Sequence, residues 1–342
     1  MNVIAARRTI KYAAIAAVAS LSFAPLAPTT ASAQRLSPIQ YTVSMPAPET
    51  HLAHVQARIP TGGKPYVDLM MAVWSPGYYV QENYATRVRD ISAEGTDGRT
   101  LVIEHPQPNR WRVTTSGGSS IVLSYTLVCD HSSVTGNAVD TTMAILNGPA
   151  TYITLAEHAK RPHEVALDLP QRWKQSATSL AAAPDGVPNH YEASSYDELA
   201  DSPIIAGNIS FHDFTVAGTH YSLADIGEIP PQWDGALAAQ NLEKIVTADY
   251  RFWGFIPFRK YVFLDVFRRG AGGLEHLNST LLTSSPSATG GGDIRWLQYV
   301  SHEYFHAFNV KRLRPAQLGP FDYEHPPTTP SLWISEGLTT YY

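Results

Sequence analysis

Cysteine is almost missing from this sequence, because Cys129 is the only one among 342 residues. A single thiol cannot form an internal disulfide, so no covalent cross-link within the chain stabilises the fold. A nucleophilic role for Cys129 is one alternative, since His131 lies two residues further on. We favour the simpler interpretation, in which Cys129 is a small apolar residue at the end of a strand.

Charged residues are also scarce. They make up 16% of the chain, and the formal net charge is only −5. Electrostatic binding to nucleic acid or to an anionic membrane needs a basic patch, and this composition does not favour one. We therefore expect no nucleic-acid partner. A length of 342 residues is enough for two domains with separate cores, whereas the oligomeric state is left open.

The one long apolar run lies near the N-terminus. Arg7 and Arg8 precede an apolar stretch from Tyr12 to Leu26, and Ala31-Ser32-Ala33 follows with the small residues of a cleavage site. We interpret residues 1–33 as a signal peptide, which predicts a periplasmic or extracellular protein. The alternative is a membrane anchor, but the stretch is too short and prolines interrupt it. We therefore expect no stable membrane insertion after cleavage, by either the Sec or the twin-arginine route.

Turns that contain glycine or proline divide residues 34–207 into short runs rich in Val, Ile, Tyr and Thr. Many short strands at such spacing predict an antiparallel β-sandwich domain. In residues 208–342, strands alternate with three predicted helices. These are 236–253, 294–312 with Asp293 as its N-cap, and a last helix that Thr329-Pro330 opens. The predicted fold is therefore mainly β, with an α+β second domain.

The strongest chemical motif is His302-Glu303-Tyr304-Phe305-His306, which lies within the second predicted helix. Residues four apart share one face of a helix, so His302 and His306 can present two ring nitrogens to one metal ion. Glu303 lies beside this face, where it can take a proton from water without ligating the metal. The spacing favours a zinc site with a general base, and two hydrogen-bonded core histidines are the alternative.

A catalytic zinc ion needs a third protein ligand. Asn309 and Arg312 occupy the positions where the metzincin pattern requires Gly and His, which excludes that class. The other solution is a carboxylate from a later helix, and Glu336 in the last predicted helix is our candidate. Its competitors lie in a proline-rich loop, which holds a ligand less rigidly. They are Asp322, Glu324 and His325.

A glycine-rich segment precedes the predicted zinc helix, with the sequence Gly272-Gly273-Leu274-Glu275-His276. Gly272 and Gly273 allow a substrate backbone to approach closely, and an edge strand can bind an extended peptide by strand addition. The carboxylate of Glu275 is then suited to bind a free N-terminal ammonium group. The alternative is that Glu275 is a solvated strand residue.

Five segments of the mature chain carry a family resemblance. They are Met70–Tyr79, Tyr196–Pro203, Gly272–Asn278, the HExxH helix continuing through Arg312, and Trp333–Tyr342. Together they resemble the M61 glycyl aminopeptidase family, relatives of the M1 aminopeptidases. The resemblance implies a β-rich N-terminal domain and a thermolysin-like (gluzincin) catalytic domain. It also implies one zinc ion on His302, His306 and Glu336, Glu303 as the base, and removal of N-terminal Gly or Ala from peptides.

The chain differs from the family pattern at two places. Glu275 matches the glutamate of the M1 exopeptidase motif G-x-M-E-N, but Leu274 and His276 replace its Met and Asn. The chain also ends at Tyr342, soon after Glu336, so we expect a truncated catalytic domain whose transition-state tyrosine lies further on. Three functions remain open: an aminopeptidase, an endopeptidase, and a chain that binds zinc and peptide without turnover.

Overall fold

Short strands form the first part of the chain. The computed structural model describes residues 36–157, 160–286 and 290–342, so the predicted signal peptide at 1–33 lies outside the described residues. The strands up to residue 207 are β1 (Ile39–Ser44), β2 (Leu52–Pro60), β3 (Tyr66–Met70), β4 (Val88–Gly95), β5 (Ile103–Gln107), β6 (Arg110–Thr114), β7 (Ser120–Val128), β8 (Ala138–Val139), β9 (Met143–Leu146), β10 (Thr154–Leu155), β11 (His163–Asp168), β12 (Gln175–Thr178), β13 (Ala181–Ala182), β14 (His190–Ala193) and β15 (Ile204–Gly207).

These strands pair into three sheets around one apolar core. The sheet orders are β13-β14-β11-β1-β2-β7-β4, β10-β3-β6-β5 and β12-β15-β9-β8. Only β1 and β11 pair in parallel among them. Along β2, buried and exposed residues alternate, as expected for a strand with one face on a core. Two short helices, α1 (Gly148–Thr151) and α2 (Tyr196–Ala200), complete this part.

The second part places a five-stranded sheet against helices. Its elements are β16 (Ser210–Val216), β17 (Thr219–Gly227), α3 (Gly235–Trp253), β18 (Lys260–Phe267), β19 (Gly272–Glu275), β20 (Ser279–Ser284), α4 (Ile294–Phe305) and α5 (Leu332–Tyr341). The strand order is β16-β17-β18-β20-β19. Strands β17, β18 and β20 run parallel to one another, whereas β19 is an antiparallel edge strand on β20. The predicted fold class, mainly β with α+β character, is confirmed.

Capping residues fix where the two long helices begin and end. The Asp234 carboxylate accepts a hydrogen bond from the Leu237 amide at the start of α3, and Gly254 ends that helix at a φ of 79°. The Asp293 carboxylate caps α4 through the Arg295 amide at 2.8 Å, which confirms the predicted N-cap. Gly254 and Asp293 could be recognised in the sequence because a capping residue acts only on the few residues next to it.

The predicted end of α4 and the predicted start of α5 were wrong. Helix α4 ends at Phe305 rather than at residue 312, because the polar residues that follow bind elsewhere. Asn309 donates to the Ser335 carbonyl at 2.8 Å, and Arg312 donates to the Ala307 carbonyl at 2.7 Å. The last helix begins at Leu332, two residues after the predicted first position.

Apolar packing joins the two parts of the chain. Trp296, Val300 and Tyr304 of α4, four residues apart, enter a core beneath the five-stranded sheet. A further cluster unites side chains of β9 and β15 with side chains of β17 and β18. Residues 36–342 accordingly form one compact unit, and the domain boundary at 207 stays a prediction. Within the described ranges, every helix is too short or too polar to span a bilayer.

Two buried aspartates lie beneath the start of α4. Asp225 of β17 and Asp265 of β18 are register partners on adjacent strands, and both have no exposed surface. The Trp233 indole donates to Asp225 at 2.7 Å, and the Trp296 indole donates to Asp265 at 3.0 Å. Within the described residues, the second carboxylate oxygen of Asp225 has no hydrogen-bond partner. Burial raises the pKa of both carboxyl groups, and the neighbouring Asp265 raises that of Asp225 further.

Candidate active site

Three side chains converge on one point: His302 of α4, His306 directly after the end of α4, and Glu336 of α5. The Nε2 atoms of His302 and His306 are 3.1 Å apart. Glu336 Oε2 lies 3.4 Å from the first nitrogen and 3.3 Å from the second. Helix α4 positions both histidines, since the His306 amide still donates to the His302 carbonyl at 3.3 Å. These are the three residues that the sequence pattern nominated as metal ligands.

The triangle of ligand atoms has the dimensions of a tetrahedral zinc site. Zinc ligands at 2.0–2.1 Å in tetrahedral geometry lie about 3.3–3.4 Å from one another, and the three separations here are 3.1–3.4 Å. Two imidazole nitrogens this close repel unless a proton or a metal cation lies between them. The two histidines lower the pKa of the Glu336 carboxyl to about 2, so Glu336 is ionised, as a ligand must be.

The outer ring nitrogen of His306 is held in place. His306 Nδ1 lies 3.1 Å from the carbonyl oxygen of Asn309 and 3.2 Å from the Thr339 hydroxyl of α5. When Nδ1 donates to that carbonyl, the lone pair remains on Nε2, which faces Glu336. Such bonds orient metal-binding histidines and fix their tautomer. The residues present therefore fit a zinc ion.

Glu303 lies buried between α4 and the edge strand β19. A Cβ atom added to Gly273 would lie 2.4 Å from Glu303 Oε1 and 2.5 Å from the Tyr299 hydroxyl. A side chain at this position would require both groups to move. Burial first, and the nearby Glu275 carboxylate second, raise the pKa of Glu303 to about 8. Sequence reasoning named Gly273 as a residue that a substrate backbone approaches, whereas the structure also shows it against Glu303, the predicted base.

Glu275 is the last residue of β19, and it is only 6% exposed. The interpretation of Glu275 as a solvated strand residue is therefore wrong. Its strand neighbour Gly272 lies close to Val134, whose Cγ1 is 3.3 Å from the place of a Cβ. The edge of β19 predicted from the sequence is thus present, with its two glycines and one carboxylate beside α4.

A buried ionic cluster anchors the end of β19. The Asp201 carboxylate accepts hydrogen bonds from the Leu277 amide at 2.8 Å and from Lys311 Nζ at 2.9 Å. His276 Nδ1 is also 2.9 Å from it. Burial alone would raise the pKa of Asp201, but Lys311 and His276 outweigh burial and keep it below its ordinary value. Sequence reasoning missed Asp201 and Lys311, although both lie in segments that carry the family resemblance.

The three competitors for the third ligand position are engaged elsewhere. Glu324 accepts hydrogen bonds from Asn109 at 2.9 Å and from Arg110, so it ties the proline-rich loop to β6. Asp322 pairs with His325 at 2.8 Å. Among the described residues, only the His302, His306 and Glu336 group has the geometry to hold a metal ion.

Two family models match the chain. The model of the Peptidase M61 N-terminal domain matches residues 40–208, and the model of M61 glycyl aminopeptidase matches residues 295–342. The second match contains the histidine pair, the buried glutamate and Glu336. The chain belongs to peptidase family M61.

One solved structure shows the same fold over most of the chain. An aminopeptidase N family protein from Idiomarina loihiensis is 26% identical to this chain, with a TM-score of 0.82. The match covers 89% of this chain and 53% of that protein. The chain thus spans about half the length of that protein. An M1 zinc metallopeptidase from Deinococcus radiodurans is more distant, at 13% identity and a TM-score of 0.46, covering 80% of this chain and 64% of its own. Among curated protein sequences, none matches.

Proposed function

We propose that this chain forms the zinc-binding part of an aminopeptidase that removes N-terminal Gly or Ala from peptides. The observation that carries the proposal is the triangle of His302, His306 and Glu336 atoms at 3.1–3.4 Å, with the buried Glu303 next to it in sequence. Membership of a family described as glycyl aminopeptidases supports the choice of substrate. We also propose that residues 1–33 direct its export.

Each of the proposed site residues has its own role in amide hydrolysis. When bound, zinc supplies Lewis-acid polarisation of the scissile carbonyl and of the attacking water. The positive charge of a bound zinc ion would lower the raised pKa of Glu303, so that its carboxylate can take a proton from the water and pass it to the leaving amine. Glu275, at the end of the edge strand, binds the free N-terminal ammonium group of the peptide. Gly272 and Gly273 let the substrate backbone lie along the edge of β19.

The experiment compares the zinc-loaded wild type with Glu303→Gln and with Glu243→Gln, whose side chain is exposed on α3. We expect the wild type and Glu243→Gln to hydrolyse Gly-amide and Ala-amide substrates. Glu303→Gln should keep one zinc ion, measured by metal analysis, and lose hydrolysis. Equal activity of Glu303→Gln would refute the role of the base.

A second comparison tests the exopeptidase assignment. The same peptide is offered with a free and with an acetylated N-terminus. We expect cleavage of the free peptide only, because acetylation removes the charge that Glu275 binds. Cleavage of both forms would indicate an endopeptidase. Tight binding of the free peptide without any cleavage would indicate a chain that binds zinc and peptide but does not turn over.

A further inference from the structure

One buried carboxylate connects the segment after Glu275 with the segment after the proposed zinc helix. Asp201 is the C-cap residue of α2 in the β-rich part, and it is only 6% exposed. Its Oδ2 atom accepts a hydrogen bond from the Leu277 amide at 2.8 Å, and its Oδ1 atom accepts one from Lys311 Nζ at 2.9 Å. The two oxygen atoms of one carboxylate therefore bind two different segments of the chain.

The first of these links leads to Glu275. Leu277 lies two residues after Glu275, in the turn that joins β19 to β20. The ring of His276 donates from Nδ1 to Asp201 Oδ1 at 2.9 Å. His276 Nε2 is sealed from solvent and has no hydrogen-bond partner within the described residues, so in that part of the chain Nδ1 makes the polar contact of the ring. Asp201 thus holds both residues that directly follow Glu275.

The second link leads to the proposed zinc ligands. Lys311 is 6% exposed, and its amide donates to the His306 carbonyl at 3.1 Å. The next residue, Arg312, donates from Nη1 to the Leu277 carbonyl at 2.8 Å, which supports the same turn from the side of α4. The ammonium group of Lys311 and the ligand His306 are therefore parts of one hydrogen-bonded segment.

A turn of the β-rich part, which spans Ser75–Tyr79, covers Glu275. At Gly77, where φ is 109°, a Cβ atom would lie 2.9 Å from Glu275 Oε1. Glycine suits both this close contact and this backbone conformation. Lys311 Nζ also lies 3.4 Å from the carbonyl oxygen of Pro76 in the same turn. The links made by the buried carboxylate and by Lys311 therefore reach both the strand that carries Glu275 and the turn that covers it.

Stability alone does not account for this cluster. A buried ion pair contributes little net stability, because the cost of removing two charges from water offsets their attraction. Asp201 belongs to the β-rich part, whereas its partners follow Glu275 and His306 in sequence. The cluster therefore fixes how three separate segments are placed relative to one another.

We propose that Asp201 is a positioning residue that sets the separation between the Glu275 carboxylate and the proposed zinc ligands. The inference rests on the proposed function. In an aminopeptidase substrate, a single Cα atom joins the ammonium group to the scissile carbonyl. The group that binds the ammonium and the site that polarises the carbonyl must therefore keep a fixed separation. An error of about 1 Å in such a placement can lower the rate roughly 10²-fold.

The test replaces Asp201 by asparagine, which has the same shape but only one acceptor oxygen. The amide cannot accept from both Leu277 and Lys311, so one of the two links is lost whichever way it turns. Calorimetry on the zinc-loaded full chain compares two probes. Glycine hydroxamate carries an ammonium group and a zinc-binding hydroxamate on one carbon atom, whereas acetohydroxamate lacks the ammonium group.

We expect the wild type to bind glycine hydroxamate at least about 10-fold more tightly than acetohydroxamate, the usual effect of one hydrogen bond to a charged group. Asp201→Asn should lose most of this preference and bind acetohydroxamate as the wild type does, with one zinc ion retained. Asp168→Asn, which changes an exposed carboxylate on β11, should match the wild type with both probes. A preference that persists in Asp201→Asn overturns the proposal.

A double-mutant cycle separates positioning from a merely structural role. If Asp201 acts through Glu275, adding Asp201→Asn to Glu275→Gln should change the binding of glycine hydroxamate by no more than about 2-fold, the usual error of such a cycle. An equal loss in both backgrounds, or weaker binding of acetohydroxamate, overturns the proposal. If Asp201→Asn does not fold, the double variant with Lys311→Met, which removes both charges of the buried pair, takes its place with the same expectations.

Hydrolysis of a Gly-amide substrate is measured on the same proteins, so that this inference and the proposed function can fail separately. If the wild type hydrolyses nothing, but prefers glycine hydroxamate and Asp201→Asn loses that preference, the proposed function fails and the role of Asp201 stands. A wild type without the preference overturns the role of Asp201, whether or not it hydrolyses the substrate.

Discussion

Replacing Gly273 by alanine should lower the activity strongly and change the thermal stability only slightly. The new methyl group would lie 2.4 Å from Glu303 Oε1 and 2.5 Å from the Tyr299 hydroxyl. Both atoms are ends of flexible side chains, so they can move while the backbone stays. An alanine is compatible with the strand conformation of β19, and it restricts the unfolded chain. We therefore expect Tm to change by only a few degrees.

The loss of activity follows from the distance. An ordinary contact between a methyl carbon and a carboxylate oxygen is about 3.4 Å, so Glu303 has to shift by about 1 Å. A misplacement of this size costs roughly 10²-fold in rate. The histidines and Glu336 are untouched, so zinc should stay bound. Gly273→Ala should thus resemble a weakened form of Glu303→Gln.

The assay measures kcat/KM on a Gly-amide substrate together with zinc content and Tm. Gly292→Ala is the matched control, because its methyl group would meet only Leu237 Cδ2, at an ordinary 3.6 Å. The reasoning is refuted if Gly273→Ala keeps more than a third of the wild-type kcat/KM. It is also refuted if the activity disappears because the zinc ion or the fold is lost.

Two further changes probe the buried charges. Asp225→Asn replaces a buried carboxyl group, one oxygen of which has no partner in the part of the chain that the structure describes, by an amide that does not titrate. Thermal unfolding should therefore depend less on pH than in the wild type. In the wild type, the folded state holds a proton that an unfolded aspartate loses near about pH 3.9. The stabilisation from this proton is complete below that pH and is lost as the pH rises through the raised pKa of the folded state. Over that range the free energy of unfolding falls by up to about 1.4 kcal/mol per pH unit. Lys311→Met leaves Asp201 buried without its lysine, and denaturant unfolding should show a loss of about 3–5 kcal/mol.

Each of these changes has its own control. Asp168→Asn removes an exposed carboxylate from β11 and should leave the pH dependence of Tm as it is in the wild type. An unchanged slope in Asp225→Asn would show that the buried pair does not hold the proton. For Lys311→Met, adding Asp201→Asn removes the stranded charge and should restore part of the stability. No recovery in the double variant would contradict the assigned cause.

Local signals explain why much of the fold could be predicted. The start of α4 depends on Asp293 and the end of α3 on Gly254, and each acts within one turn of its helix. The zinc-type triangle, formed by the ligand atoms of His302, His306 and Glu336, was predictable for a similar reason. The spacing of the two histidines places them on one face of the helix. Glu336 could be nominated because a carboxylate on a later helix was the remaining solution.

Tertiary contacts explain where the sequence was insufficient. The end of α4 is set by Asn309, which donates to the Ser335 carbonyl across the site, and no local pattern encodes that partner. The burial of Glu275 depends on Gly77, nearly two hundred residues earlier. Periodicity describes one element at a time, so it cannot reveal which turn will cover a strand of another sheet.

The contact between Gly77 and Glu275 also changes how the β-rich part should be viewed. A separate supporting domain would need only a complementary surface, which ordinary side chains provide. Here the chain uses a glycine at a φ of 109° and a tyrosine at a φ of 53° in one turn, and the glycine lies against Glu275, which is proposed to bind the substrate. Strained backbone persists only where the surrounding structure enforces it. Because the Trp74 and Lys311 contacts tie this turn to the segments around the zinc-type triangle, the β-rich part and the α4–α5 part are better regarded as two walls of one active site.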